Sequence, residues 1–189
     1  MTRTHIWRPL LLLTLIILAG CGRIQKMHQK AYDLSEDGDY RGAIELYEKI
    51  LRQKPDKPLF INDYGWTLFM ADSLQRAQSV LKEAQRKCDD GHQILQRHIK
   101  KNLHITESFI RINQALKKGQ PEQALSILDE LNRSWKTHEM RLKYYALTYD
   151  SLGEKDKARE YWQQIIDQHA RTTYENPYYK MALEKMEAF

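Results

Sequence analysis

The chain has 189 residues, 42% hydrophobic and 29% charged, with eight glycines and five prolines spread thinly; this balance suits a helical globular or repeat protein and excludes global disorder. Its formal charge of +5 falls to +3 if a leader carrying Arg3 and Arg8 is removed, too small an excess to point to nucleic acid. Cysteine occurs only at Cys21 and Cys88, so no disulfide framework exists once Cys21 is otherwise engaged.

Residues 1–20 run from Arg3 and Arg8 through an apolar stretch, Leu10 to Leu18, to small residues, the three-part pattern of a signal peptide. A membrane-spanning helix needs about 20 apolar residues, and this run stops short of that before Gly20, Cys21 and Gly22. The residues Leu18-Ala19-Gly20-Cys21 resemble the lipobox of bacterial lipoproteins, in which the cysteine thiol receives a diacylglyceryl group and cleavage leaves it N-terminal. Small residues admit an extended backbone to a peptidase, and a thiolate is the nucleophile that lipid transfer requires. The resemblance implies a Cys21 carrying acyl chains such as palmitate, a tether of residues 21–23, and, because Gly22 rather than Asp follows the cysteine, sorting to the outer membrane and its periplasmic face.

Four stretches further on are built alike: a turn residue, then an alanine, then a large apolar residue four positions later. They are Gly38 with Ala43 and Tyr47, Asp72 with Ala77 and Leu81, Gly119 with Ala124 and Leu128, and Gly153 with Ala158 and Trp162. The alanines lie 34, 47 and 34 residues apart, a 34-residue period interrupted by 13 inserted residues. Spacings of three and four among Ala43, Ile44, Leu46, Tyr47, Ile50 and Leu51 draw an apolar stripe on a helix. Gly38 can end one helix in the left-handed conformation while Asp39 caps the next.

This pattern resembles the tetratricopeptide repeat, a two-helix unit with small residues at its eighth and twentieth positions and a glycine near its fifteenth. Unit one, 24–57, carries Ala31, Gly38, Ala43 and Pro55 in place; unit two, 58–91, has Gly65 and Ala77 but Asp72 where glycine is usual. Residues 92–104 form a helical insertion. Units three and four follow over 105–138 and 139–172, the third departing from the pattern with Ile112 at a small-residue position. The expected fold is an all-α, right-handed solenoid of about four helix pairs, each covering the apolar face of its neighbour.

No Gly or Pro interrupts 92–118, which reads either as one long helix projecting as a ridge or as a short helix broken near His104. Pro177 after Asn176 opens a final helix within 173–189 that caps the array.

No phosphate loop, GxSxG elbow or HExxH motif is present, and His92, His98 and His104, six apart, point around a helix rather than to one face. The reading is a non-enzyme without metal or cofactor. Cys88 is assigned no role, and Arg97, Lys100 and Lys101 read as a solvated face. In the tetratricopeptide family the first helix of each unit lines a concave groove. The resemblance places His28, Tyr32 and Glu36 there in unit one, and Asn62, Trp66, Phe69 and Met70 in unit two. Phe109, Asn113 and Lys117 follow in unit three, and Lys143, Leu147 and Asp150 in unit four. The candidate partner-binding set is Tyr32, Asn62, Trp66, Phe69, Met70, Asn113, Lys117 and Lys143; internal packing of Trp66, Phe69 and Met70 against the insertion or the last helix is the competing reading. The resemblance implies a membrane-anchored scaffold for other envelope proteins in a pilus, secretion or outer-membrane insertion machine, without nucleic-acid or small-molecule ligands. The alternative is an adaptor for peptidoglycan-active enzymes.

Overall fold

The computed structural model describes residues 7–132, 139–169 and 177–188, with side chains from Gly22 onward and not at Asn132. Nine helices and no strand occur among them: α1 (Trp7–Glu36), α2 (Tyr40–Gln53), α3 (Pro58–Met70), α4 (Leu74–Lys87), α5 (Gln93–Lys117), α6 (Pro121–Asn132), α7 (Glu139–Ser151), α8 (Lys155–His169) and α9 (Pro177–Glu187). Sequential helices pack on one another throughout, and α1 with α3, α3 with α5, α5 with α7 and α7 with α9 also touch. The odd-numbered helices therefore form one layer and α2, α4, α6 and α8 the other, an all-α solenoid of four helix pairs with a terminal helix.

The turn within each pair is set by backbone chirality. Gly38, Gly119 and Gly153 have φ of 90°, 68° and 78°, and Asp72 has φ 59°. At three of these turns the following amide closes a bond five residues back: Ser73 to the Leu68 carbonyl, Gln120 to Ala115 and Glu154 to Tyr149, each at 2.9 Å. That is the Schellman closure, which needs a left-handed residue at the stop. Asp39 then caps α2 by accepting a hydrogen bond from the Gly42 amide at 2.9 Å.

Close crossing follows from the small residues. Ala31, Ala43, Ala77, Ala124, Ala146 and Ala158 are fully buried, as are the large partners Leu81, Leu128 and Trp162, with Tyr47 at 1% exposure. At Gly65 a β-carbon would stand 2.8 Å from Leu81 Cγ, so α3 and α4 approach more closely there than an alanine allows. Ile112, the large residue at the corresponding position of unit three, is itself fully buried in the main core, so the departure from the pattern is absorbed by packing.

The inserted residues do not form a separate element. α5 runs unbroken through His104, and its added N-terminal half rests on a small second core in which Ile99 meets Ile61 and Ala84. The continuous-helix reading holds, and the break near His104 does not occur. The final helix begins at Pro177, as the proline signal indicates.

Candidate interaction site

Between neighbouring odd-numbered helices the sequence places polar side chains where they satisfy one another. His28 Nε2 of α1 meets Asp63 Oδ2 of α3 at 2.8 Å, and Asn62 Nδ2 donates to Asp63 Oδ1 at 3.0 Å. Asn102 Nδ2 of α5 donates to Asn62 Oδ1 at 3.1 Å. Asn62 is 5% exposed and its amide is committed on both sides, so it ties α3 to α5 and, through Asp63, extends the polar chain to His28 of α1.

Deeper in the layer of odd-numbered helices an aromatic series packs from one helix to the next. Trp66 stacks on Phe69 with centroids 4.8 Å apart, Phe69 meets Phe109 edge-on at 5.4 Å, and Phe109 meets Tyr144 edge-on at 5.2 Å. Phe69 and Phe109 are fully buried, Met70 is 7% exposed, and Trp66 is half-buried. The side chain of Lys143 ion-pairs with Asp72, lies over the Tyr144 ring at 4.5 Å, and is 6% exposed. The Tyr144 hydroxyl lies 3.5 Å from the other Asp72 oxygen. Burial, with the Asp72 charge beside it, holds the Tyr144 phenol well above its ordinary pKa.

The terminal helix closes this cluster. Tyr178 of α9 is buried, donates its hydroxyl to the Met70 carbonyl at 2.5 Å, and lies under the Lys143 ammonium at 5.8 Å. The C-terminal end of α3 and the Lys143 side chain of α7 are thereby covered by the chain's own last helix.

Of the residues expected to meet a partner, Asn62, Phe69, Met70 and Lys143 are therefore buried structural groups: burial area, one carbonyl contact and one ion pair are already taken inside the chain. Phe69 and Met70 follow the internal-packing reading. Tyr32 and Lys117 are exposed, Trp66 and Asn113 half-buried. Tyr32, at 48% exposure, is the most accessible aromatic side chain of the set, and the charges of Glu36, Asp63 and Asp33 around it raise its phenol pKa, Glu36 most strongly. Cys21 falls within α1, its side chain outside the described set.

The groove residues leave a second type of contact unaccounted for. Tyr64 donates to Glu48 at 3.1 Å and Tyr145 to Asp129 at 2.9 Å, each joining the first helix of one unit to the second helix of the unit before it. Both pairs are 16 residues apart. That equal separation, at matching positions of units two and four, was readable in the sequence as an inter-unit bond.

His92, His98 and His104 and the cations Arg97, Lys100 and Lys101 are all exposed along α5. Among the described residues no group of three or more His, Cys, Asp or Glu is placed to hold a metal, and no helix is long and apolar enough to cross a membrane. Cys88 is a free, half-buried thiol whose pKa is raised by burial first and by Asp89 second.

Helix pairs stopped by left-handed turns, crossing at small residues and stacked in two layers, define a tetratricopeptide-type solenoid. Residues 34–96 and 144–172 each match a family model described as tetratricopeptide repeat, so the chain carries these repeats in both halves. Among solved structures it is similar to MamA 41-end from Desulfovibrio magneticus RS-1, at 17% identity and a TM-score of 0.36, over 76% of this chain and 74% of that one. A MamA RS-1 ArsTM double mutant is similar at 17% identity and a TM-score of 0.35, over the same shares. No curated protein matches the sequence.

Proposed function

We propose that the chain is a protein-interaction scaffold held at a membrane through Cys21, and that its binding face is the open part of the concave layer around Tyr32, Trp66 and Asn113. The observation that carries this is the exposure of Tyr32: a large aromatic side chain left 48% accessible on the first-helix layer, where Trp66, Asn113 and Leu147 at the matching positions of the other units are half-buried. Aromatic side chains that keep accessible area make strong anchors for a partner because they bury much surface with few rotors. Glu36, Asp63 and Asp33 make the surroundings of this anchor acidic, while Lys117 ends the same layer in unit three. A partner segment with a basic end toward unit one and an acidic end toward unit three fits that charge order.

The envelope setting rests on the lipobox resemblance, and an assembly role in a pilus, secretion or insertion machine is the use such an anchored scaffold serves best. Affinity purification of the Tyr32→Ala chain tests the reading: its partners should be lost while helical content and melting are unchanged. Retention of every partner by the well-folded variant would sink the groove assignment.

A further inference from the structure

The inserted half of α5 has a consequence at the edge where the odd-numbered helices begin. The register across the layer is fixed by His28 opposite Asp63, Ser35 bonded to Thr67 at 3.2 Å, and Asn62 bonded to Asn102. In that register α3 starts at Pro58, level with Gln25 of α1 and His98 of α5. Both flanking helices continue past it, and residues Gln93 to Arg97 overhang by about 7 Å at 1.5 Å per residue. Two overhanging walls above one recessed start make a cleft of about 1000 Å³, lined among others by Gln25, Leu59, Phe60, Ile94 and His98.

Leu59 is 45% exposed and Ile94 66%, so two of the four large apolar side chains exposed among the described residues stand at this one edge. Four exposed cations stand at the same end of the layer: Lys57 lines the cleft, Arg97 is on the overhang of α5, and Arg23 and Lys26 are on the first turns of α1 after Cys21, where they line a separate pocket. None of the four forms an ion pair among the described residues. Three acids share the edge: Asp56 pairs with Lys87 at 2.9 Å and Asp89 with His92 at 2.5 Å, while Asp90 accepts from the neutral Gln96 amide at 3.3 Å and keeps its charge, so the four cations outnumber the one acid without a basic partner. The chain also enters the solenoid from this edge, because Cys21 stands one helical turn before Gln25 and the apolar stretch Leu10–Leu18 precedes it on α1.

We infer that this edge is a lipid-contact surface, with Leu59 and Ile94 entering the interfacial layer and Arg23, Lys26, Lys57 and Arg97 meeting anionic headgroups. Apolar side chains ringed by cations beside an entry point of lipid or apolar chain are the composition that seats a protein on an anionic leaflet. A tether alone would leave the solenoid free to tumble. A seated edge fixes its orientation, directing the odd-numbered helices away from the bilayer along their axes. The inference rests on the anchoring reading and extends it.

The test uses the full chain with benzoylphenylalanine in place of Ile94 or of Gln120, in the turn beyond the opposite end of α5, incorporated into vesicles of phosphatidylglycerol and phosphatidylcholine. Flotation reports anchoring, and photo-adducts to phospholipid report contact. The expected result is flotation of both chains with at least ten-fold more lipid adduct from position 94 than from 120, falling several-fold when Lys57→Glu and Arg97→Glu are added. Flotation with equal adducts at the two positions overturns the seated edge and leaves the anchor standing. Failure to float overturns the anchor and the edge with it. Adducts from position 94 to a protein rather than to lipid, in native membranes, overturn the edge as a lipid surface and make the cleft a protein site.

Discussion

Asp72 stands where the other three units have glycine, and its side chain explains why. A non-glycine residue in the left-handed region costs about 1 kcal/mol, but the carboxylate held there is the partner of the buried Lys143 ammonium. Asp72→Asn keeps a residue that tolerates the turn and removes the charge, so it should destabilise the fold by about 2–4 kcal/mol, Asp72 being partly solvated. Adding Lys143→Met should recover most of that loss, which a double-mutant cycle in urea measures directly. Equal, additive losses would show that the pair does not couple. The buried phenols give a second prediction. Burial raises the pKa of Tyr40, Tyr47, Tyr144 and Tyr178 above the ordinary value of 10. Both folded and unfolded forms are protonated below that value, so pH has no leverage there through these groups. Above it the unfolded chain releases protons first, and stability should fall as pH rises from about 10 toward the folded values. Absorbance at the phenolate band should therefore rise cooperatively, together with loss of helix, rather than as independent titrations.

At the scale of single elements, α3 and α9 carry the sharpest consequences. Gly65→Ala would normally favour a helix interior by about 1 kcal/mol. Here the added carbon meets Leu81, and the variant should lose about 1–3 kcal/mol instead, read from its denaturant midpoint. Phe69→Ala should cost about 3–5 kcal/mol and lower the melting temperature, separating this core residue from Tyr32, whose truncation should spare stability. In α9, Tyr178→Phe removes the bond to the Met70 carbonyl and should raise amide exchange across Pro177–Glu187 while leaving α1 to α4 protected. The helices themselves were legible from the 34-residue period, because a small residue, a large residue and a turn residue recur at positions that backbone geometry makes indispensable. The burial of Lys143 was not, and for Phe69 and Met70 the sequence left internal packing and partner contact as alternatives. The first-helix positions of a repeat face inward whether or not another part of the chain covers them. The cover, Tyr178, lies 108 residues from Met70 and follows no period. The internal bonds of Asn62 were hidden for a related reason: one partner, Asn102, sits in the insertion, outside the repeat register.

For the molecule as a whole, the array is stabilised between neighbours, with Tyr64–Glu48 and Tyr145–Asp129 repeating one inter-unit bond and Asp72–Lys143 and Tyr178–Met70 fastening distant units together. Such long-range ties make unfolding more cooperative than the nearest-neighbour stacking of an open solenoid. They also leave Met70, Lys143 and Tyr178 buried, while Tyr32 stays exposed and Trp66 and Asn113 half-buried. On the proposed reading, anchor, edge and binding face share one geometry: chain entry and exposed apolar residues at one end of the odd-numbered helices, and the accessible Tyr32 along the same layer. The central claim, that this open face holds a protein partner, is tested most directly by photo-crosslinking in cells from benzoylphenylalanine at position 32, with position 41 on the outer helix α2 as the control. Discrete protein adducts from position 32 that are absent from position 41, and that disappear when Glu36→Lys is added, are the predicted result. Identical adduct patterns from the two positions, or none from position 32, would contradict it.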